Sequence, residues 1–523
     1  MWEANLKDRT LEAILIRNTL SHYDEELVYL FFQKLERLIT NLKQKLIRKK
    51  FSIIVPQPLP VYLIDDEKNF GFFFDGFEVK IIQATSLKEA VEKIFPDKIE
   101  KVPSEEEWII DIPTDFFLYF EAISPFLEVD DSVQMILEHC TYLAEYSYCD
   151  VAIPGFLPVV CNVELAKRIT IEGEDFRWNW NELMLKNTQT VDLEIYYLEP
   201  DYRKYRIRLD LHSEREQKIV KNIYKKYKNF RYQDLELIIT KEIELLRIAP
   251  NYVEIEITTK NELKPVIYPH ETNSNEMEIE TFQKILSDLQ EFSLHHAISL
   301  SFAGKGDPFL NENFLEFLKL SYESRLFRKV YIETYLTTWK EDILELIQRH
   351  PRFFFLIIKL PTLNENLYSK LMGKNLFSKV KKNLLELPKD ITIYVEILRI
   401  KQVEDELDFI FKEFSQYPHI KPFIGRYFTY GGILEDYSVV DLEPIEKDYC
   451  RSLMFHVFID AKGNVPVCRQ DLFCRNKHWN IKEHNLKDIF KIIEKDYYHF
   501  LRQEYDEIIP LCRSCKDWFV YLE

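Results

Sequence analysis

The sequence predicts an α/β protein whose central part is a parallel sheet flanked by helices. Residues 253–259, VEIEITT, alternate in polarity and are rich in β-branched side chains, which is typical of a strand. Five further strand-like runs follow, separated by segments with the periodicity of amphipathic helices. Because parallel strands need long crossover connections, this alternation indicates a parallel sheet with helices on its face.

Length and composition exclude several classes of protein. A chain of 523 residues, 46% hydrophobic, is long enough for about three domains with substantial cores. The net charge of −18 disfavours nucleic acid as a partner, because binding to phosphate needs basic patches. The N-terminus lacks the pattern of a signal peptide, and no segment approaches the ~18 apolar residues of a membrane span. We therefore expect a cytoplasmic protein without a membrane partner.

Residues 1–200 have the mixed pattern of an α/β domain. The patterns predict helices at 11–20, 25–49 and 86–94, and strands at 52–58, 60–65 and 108–113. The last strand carries Asp111, with Asp115 close behind, and this resembles the metal-binding aspartate of sugar-activating nucleotidyltransferases. Such enzymes cradle a triphosphate in an N-terminal glycine-rich loop, yet no glycine precedes Gly71. We therefore expect a nucleotidyltransferase-like domain that has lost catalysis.

The central region, residues 201–442, is predicted to be a partial (βα)6 barrel. Small molecules bind such folds at the carboxyl ends of the strands, so the loops there are the candidate sites. After the strand at 253–259, the predicted strands lie at 298–303, 329–336, 353–361, 391–400 and 420–428, and the predicted helices at 278–292, 313–324, 341–350, 376–387 and 404–415.

The loop after the first of these strands ends in Pro-His and resembles the cluster loop of radical S-adenosylmethionine (SAM) enzymes. Aligned on the shared Leu and the Pro-His pair, the three cluster cysteines of that family fall on Asn261, Pro265 and Tyr268. None of these residues can bind iron as a thiolate does, so we expect no radical cleavage of SAM. We expect Lys264, Tyr268 and His270 to fill the vacated space.

The segment AGKGDPFL after the second strand resembles the G-x-G-E-P motif of the same enzymes, whose backbone receives the amino group of SAM. Gly304, Gly306 and Pro308 match this motif, and Asp307 replaces its glutamate. The resemblance implies one side of a SAM site, although two glycines after a strand also serve a tight turn. Without a cluster iron to anchor the ligand, we expect weak or no SAM binding.

The C-terminal region, residues 443–523, contains five of the eight cysteines. Eight cysteines are too few for a disulfide scaffold in a chain of this length, and their concentration here indicates metal ligation. Its spacing resembles the cysteine-rich SPASM extension, and the ending LCRSCKDWFVYLE resembles that of the spiro-SPASM family. The chain is identified as a member of this family with a degenerate radical SAM centre. A hairpin is predicted to turn at residues 461–463. The proposed ligands are Cys450, Cys468, Cys512 and Cys515.

Four thiolates can hold either Zn²⁺ or one [4Fe-4S] cluster, and the sequence leaves this choice open. Cys474 is interpreted as a free thiol rather than a replacement ligand. The whole chain is therefore interpreted as a non-catalytic protein that binds or scaffolds an unknown protein or peptide partner. The alternative is an enzyme, either a nucleotidyltransferase acting through residues 1–200 or a SAM-using modifier of a peptide or protein.

Overall fold

The computed structural model describes residues 9–20, 22–43, 46–47, 51–65, 77–96, 115–171, 176–440, 443–444 and 446–520. The chain divides into two compact units, Met1–Ile239 and Thr240–Glu523. Residues 201–239 thus belong to the first unit, and the C-terminal cysteines belong to the same unit as the central strands. Among the described helices, none has the length and apolar character needed to cross a membrane.

A mixed sheet of nine strands organises the described part of the first unit. Its strand β1 lies in the middle and pairs in parallel with β3, β4 and β6, whereas β8 is antiparallel to β6 and β7. The strands are β1 (Arg9–Arg17), β2 (Leu46–Ile47), β3 (Phe51–Ile54), β4 (Pro60–Asp65), β5 (Glu78–Gln83), β6 (Asp115–Phe120), β7 (Tyr146–Cys149), β8 (Val159–Asn162) and β9 (Leu193–Tyr196). The helices are α1 (Glu25–Lys43), α2 (Leu87–Ile94), α3 (Val129–Tyr142), α4 (Val163–Arg168), α5 (Trp180–Lys186), α6 (Glu214–Lys226) and α7 (Leu235–Lys241), the last at the division between the units.

Two predictions for the first unit are wrong, and one lies outside the described residues. Residues 11–20 were expected to be helical but form most of β1, which is buried between β4 and β6. The apolar run Ala13–Ile16 of this strand is buried on both faces, so it lacks the alternation that identifies a half-buried strand. Asp115 begins β6 instead of following a strand. The predicted strand at 108–113, with Asp111, lies outside the described residues, whereas the strand at 60–65 is confirmed.

The second unit contains a sheet of seven parallel strands in the order β15-β14-β13-β12-β11-β10-β16. The predicted strands and helices of residues 253–428 are present with shifted or shorter bounds, and the largest difference is in the first strand, which ends at Ile255 and not at residue 259. The sequence did not predict α11, and it assigned the segment of β16 to a hairpin and not to this sheet. The strands are β10 (Tyr252–Ile255), β11 (Ile298–Phe302), β12 (Phe327–Thr334), β13 (Phe354–Lys359), β14 (Ile393–Leu398), β15 (Ile420–Gly425), β16 (His456–Ile459), β17 (Asn464–Pro466) and β18 (His478–Asn480). The helices are α8 (Ile279–Gln290), α9 (Phe314–Glu323), α10 (Glu341–Arg349), α11 (Glu365–Met372), α12 (Phe377–Glu386), α13 (Leu407–Phe414), α14 (Arg451–Phe455), α15 (Leu486–Leu501) and α16 (Leu511–Ser514).

The two faces of the parallel sheet differ in chemistry. On one face, Phe302 of β11 packs edge-on against Phe314 of α9 and lies 5.9 Å from the ring of Phe282 in α8. The other face carries buried charged residues, among them Glu254, Glu256 and Lys359. Buried charges require partners, so this second face and the loops at its carboxyl end contain the candidate site.

The predicted hairpin around residues 461–463 is corrected by the structure. Its turn is present, because Gly463 has a φ of +84° and the Asp460 N–H donates to the Asn464 carbonyl at 2.9 Å. Its two arms do not pair with each other: β16 joins β10 in parallel, and β17 pairs with β18. The reason is burial, because all four residues of β16 are buried in the large sheet, a partner that local sequence does not reveal.

Candidate functional site

The loop after β10 contains the three positions that align with cluster cysteines. The Asn261 amide nitrogen donates to the Lys305 carbonyl at 3.3 Å, and its side-chain oxygen accepts the Leu263 N–H at 2.9 Å. Pro265 is buried, and Tyr268 is only 5% exposed. These residues contribute no sulfur and are already packed into the chain, so a [4Fe-4S] cluster does not fit here.

Tyr268 lies within a network of buried charged side chains. Its hydroxyl donates to Glu396 Oε2 at 3.1 Å, and the Lys359 ammonium lies 5.2 Å from the centre of its ring. Lys359 also pairs with Glu333 at 2.9 Å, while the ring of Tyr335 packs edge-on against that of Tyr268. Tyr268 is thus packed among these side chains, whereas Lys264 is exposed and His270 is partly exposed, and the filling of a vacated cluster space by these residues stays a prediction.

The charges in this network support one another. Burial raises the pKa of the Glu396 carboxyl to about 7, although the nearby Lys359 lowers it. Burial also opposes the charge of Lys359, but Glu333, Tyr335 and Glu396 outweigh that effect and raise the pKa of its ammonium. The network is therefore a compensated ionic core instead of an open cofactor pocket.

The glycine loop after β11 is held by the protein itself. Gly304 has a φ of +121°, and a Cβ at Gly306 would stand 2.2 Å from a backbone carbonyl oxygen of the preceding loop. The Asp307 N–H donates to the Lys260 carbonyl at 2.8 Å, and the Asp307 carboxylate accepts the Thr334 hydroxyl at 2.9 Å. Pro308 begins the short turn Pro308–Leu310. The close packing explains both glycines, and a role for Gly304, Gly306, Asp307 and Pro308 in binding SAM stays a prediction.

Lys305, between the two glycines, was missed by the sequence reading. Its ammonium is buried and pairs with Glu256 at 3.3 Å and Glu271 at 3.1 Å, and it donates to the Leu472 carbonyl at 3.2 Å. Burial raises the pKa of Glu256 to about 7, even though Lys305 lowers it. The only sequence signal was a lysine inside a glycine turn directly after a buried strand. This lysine connects the glycine loop to the segment that follows Cys468.

The four predicted metal ligands lie close to one another. Burial raises the pKa of the thiols of Cys450, Cys468 and Cys515 to about 12, and neighbouring cysteines of the set add to each shift. Burial likewise raises the pKa of Cys512, and the other three thiols reinforce it. Within the described ranges, however, no three His, Cys, Asp or Glu side chains are arranged to hold a metal ion as they stand. The donor set suits a soft metal, but the sulfurs must move to share one.

Two hydrogen bonds at Cys515 hold the segment of residues 512–515, here called the C-terminal knuckle. The Asp517 N–H donates to Cys515 Sγ at 3.3 Å, and the Lys447 ammonium donates to the Cys515 carbonyl at 2.7 Å. Cys474 is oriented differently, since its Sγ lies 3.8 Å from Asp460 Oδ2. Burial, Asp460 and Asp471 raise the pKa of the Cys474 thiol.

A cavity of about 700 Å³ opens beside the knuckle. It is bounded by the end of β15, by residues 426–440 and by the segment around Cys515. β15 is an edge strand of the seven-stranded sheet. Two apolar side chains of this cavity, Ile424 and Val440, are about half exposed at 48% and 49%. The cavity therefore combines the end of β15, an edge strand among the described residues, with exposed apolar surface.

No protein-family model matches this chain. An uncharacterized protein of Treponema pallidum (strain Nichols) is 25% identical over 308 residues, which are 55% of this chain and 83% of that protein. Streptococcus suis SuiB bound to precursor peptide SuiA is 15% identical, with a TM-score of 0.43, over 65% of this chain and 80% of that chain. Native anSMEcpe with bound AdoMet is 13% identical, with a TM-score of 0.38, over 47% and 82% of the two chains. These likenesses to solved structures are partial and carry no argument about activity, and membership of the spiro-SPASM family stays a prediction.

Proposed function

We propose that this chain is a binding protein without radical chemistry, in which a four-cysteine centre stabilises the C-terminal segment. The observation that supports it best is Tyr268, which the resemblance aligns with a third cluster cysteine and whose hydroxyl donates to the partly buried Glu396. Reductive cleavage of SAM needs an iron cluster held by three thiolates, and the loop provides none. Opening a site there would break a compensated ionic core, which costs several kcal/mol.

The metal centre is proposed for Cys450, Cys468, Cys512 and Cys515. Either Zn²⁺ or a [4Fe-4S] cluster would supply cross-linking between α14, the turn after β17 and the C-terminal knuckle. Deprotonation of the thiols is opposed by burial, so a bound cation would offset the cost that raises their pKa.

The proposed partner is a protein segment that enters the cavity beside β15. Two features support this: the open edge of β15, which can pair with an extended peptide, and the exposed Ile424 and Val440. A photo-crosslinking residue at position 424 should capture a partner in cells. The same residue at Ile492 of α15, which is 38% exposed in the same unit, is the matched control. Equal capture from both positions would contradict a specific site at this edge.

Anaerobic reconstitution with iron and sulfide, followed by dithionite and SAM, tests the absence of radical chemistry. We expect no 5′-deoxyadenosine above the blank, because the loop lacks thiolates. Calorimetry should likewise show weak or no SAM binding. Production of 5′-deoxyadenosine would refute the proposal, and tight binding without cleavage would favour the alternative of a SAM-using modifier.

Metal analysis of single Cys→Ser variants tests the C-terminal centre. Each of the four ligand variants should lose metal and several degrees of melting temperature, because metal-binding energy becomes folding energy. Cys474→Ser is the matched control and should keep both. Loss of metal in the control but not in Cys450→Ser would show that the ligand set is wrong.

A further inference from the structure

A second cavity, of about 480 Å³, lies in the first unit at the carboxyl ends of β1 and β6. Its volume falls within the ~300–1,000 Å³ typical of small-molecule sites. Arg17 ends β1, and Glu121 directly follows β6. Because Ile16 and Phe120 are register partners in the two parallel strands, Arg17 and Glu121 leave the sheet side by side. Both residues line the cavity.

These two neighbours carry opposite charges but turn away from each other. The Arg17 guanidinium lies 4.5 Å from the centre of the Trp178 ring, and no carboxylate in the described part of the chain forms an ion pair with it. The Arg208 guanidinium donates to Glu121 Oε2 at 3.0 Å and to Asp210 Oδ2 at 2.7 Å. The cavity thus has one positive and one negative group side by side.

Three buried polar atoms in the same lining have no hydrogen-bond partner among the described residues. They are the hydroxyls of Tyr119 and Tyr148, which are 2% and 1% exposed, and Nδ1 of His212. Burial raises the pKa of the Tyr119 hydroxyl, and the charges of Glu121, Arg17 and Arg208 act on it as well, so it lies among these groups. An unsatisfied buried polar atom costs about 1–3 kcal/mol, which a ligand can recover by bonding to it.

We propose that this cavity binds a free α-amino acid with an apolar side chain. Arg17 would receive the α-carboxylate, with the Tyr119 hydroxyl and His212 as further polar contacts, and Glu121 would receive the ammonium group. Leu157, Val159 and Trp178 provide apolar surface for the side chain. A polyphosphate does not suit the cavity, because the carboxylates of Glu121 and Asp210 would repel it and Arg208 is already bound by both.

Calorimetry on the full chain, with L-phenylalanine and L-leucine as the probes, tests this site. We expect binding, and we expect phenethylamine and 3-phenylpropanoate, which each lack one charged group, to bind at least roughly tenfold more weakly. Arg17→Gln and Glu121→Gln should each weaken the binding of L-phenylalanine by a similar factor. Lys186→Gln is the matched control, because this lysine lies over the Phe176 ring outside the cavity lining and should not change binding.

Three results would overturn the proposal: no binding of either amino acid at millimolar concentration, equal binding of 3-phenylpropanoate, or unchanged binding in both variants. Circular dichroism should confirm that each variant is folded. If Arg17→Gln does not fold, Arg17→Lys replaces it. That variant keeps the charge but loses the planar fork, so it should still weaken the amino acid relative to Lys186→Gln.

Discussion

Replacing Lys305 with methionine tests whether the buried ion pair beneath the glycine loop stabilises the second unit. Methionine keeps the length and apolar stem of lysine but removes its charge. The ammonium pairs with Glu256, which is 1% exposed, and with Glu271, and it donates to the Leu472 carbonyl. The substitution therefore leaves one carboxylate buried without its cation.

The cost depends on pH because Glu256 can take up a proton. Burial raises its pKa from 4.5 to about 7, so the contribution of Glu256 to the stability of the wild-type protein is fully present below about pH 4.5. It loses roughly 3 kcal/mol of that stability as the pH rises through about 7. Without Lys305, which lowers this pKa, the carboxyl stays protonated to higher pH. Relative to the wild-type protein, the variant therefore loses about 1.4 kcal/mol of stability for each pH unit above 7.

At pH 5 the Lys305→Met variant should lose only about 1–2 kcal/mol, from the hydrogen bond to the Leu472 carbonyl and the ion pair with the partly exposed Glu271. At pH 8 the loss should be about 1.4 kcal/mol larger, because Glu256 is ionised in the wild-type protein at that pH but has to keep its proton in the variant. The measurement is urea unfolding of both proteins at the two pH values, with m compared for each.

The matched control is Lys260→Met. Lys260 pairs with Glu276 at 2.9 Å, but both side chains are more than a third exposed. An exposed pair contributes about 0–1 kcal/mol, so this variant should change little at either pH. A loss from Lys305→Met that is equal at pH 5 and pH 8 would refute the reasoning, since it would arise from packing and not from charge.

Two further predictions concern the same region. Gly306→Ala should destabilise the protein by about 2 kcal/mol or more in urea unfolding, because the added methyl group would collide with backbone atoms. The control, Gly432→Ala, has open space around the added methyl group and should cost only about 1 kcal/mol, because of its φ of +83°. Tyr268→Phe should cost about 1–3 kcal/mol in thermal unfolding, because the partly buried Glu396 loses a donor, and a neutral result would show that this hydrogen bond contributes nothing.

Part of the architecture could be read from the sequence because it depends on local periodicity. Most strands and helices between residues 253 and 428 were predicted in the right order, since amphipathic helices separate apolar strands, although α11 was not expected. The strand β1 was not, because burial on both faces removes alternation from its sequence. The pairing of β16 was not predicted either, because its partner β10 lies about 200 residues earlier in the chain and the local sequence does not specify it.

The sequence alone determined which chemistry is absent from the loop after β10, because ligand identity is a property of residue types: Asn261, Pro265 and Tyr268 have no thiol. It also determined which four cysteines are candidates for a metal, since their spacing is visible in one dimension. Only the tertiary structure decided how the loop is filled, because the partners of Tyr268 and Lys305 come from distant strands and loops. Buried charges have to be compensated in three dimensions, and that requirement selects partners by distance in space, which the order of residues does not encode.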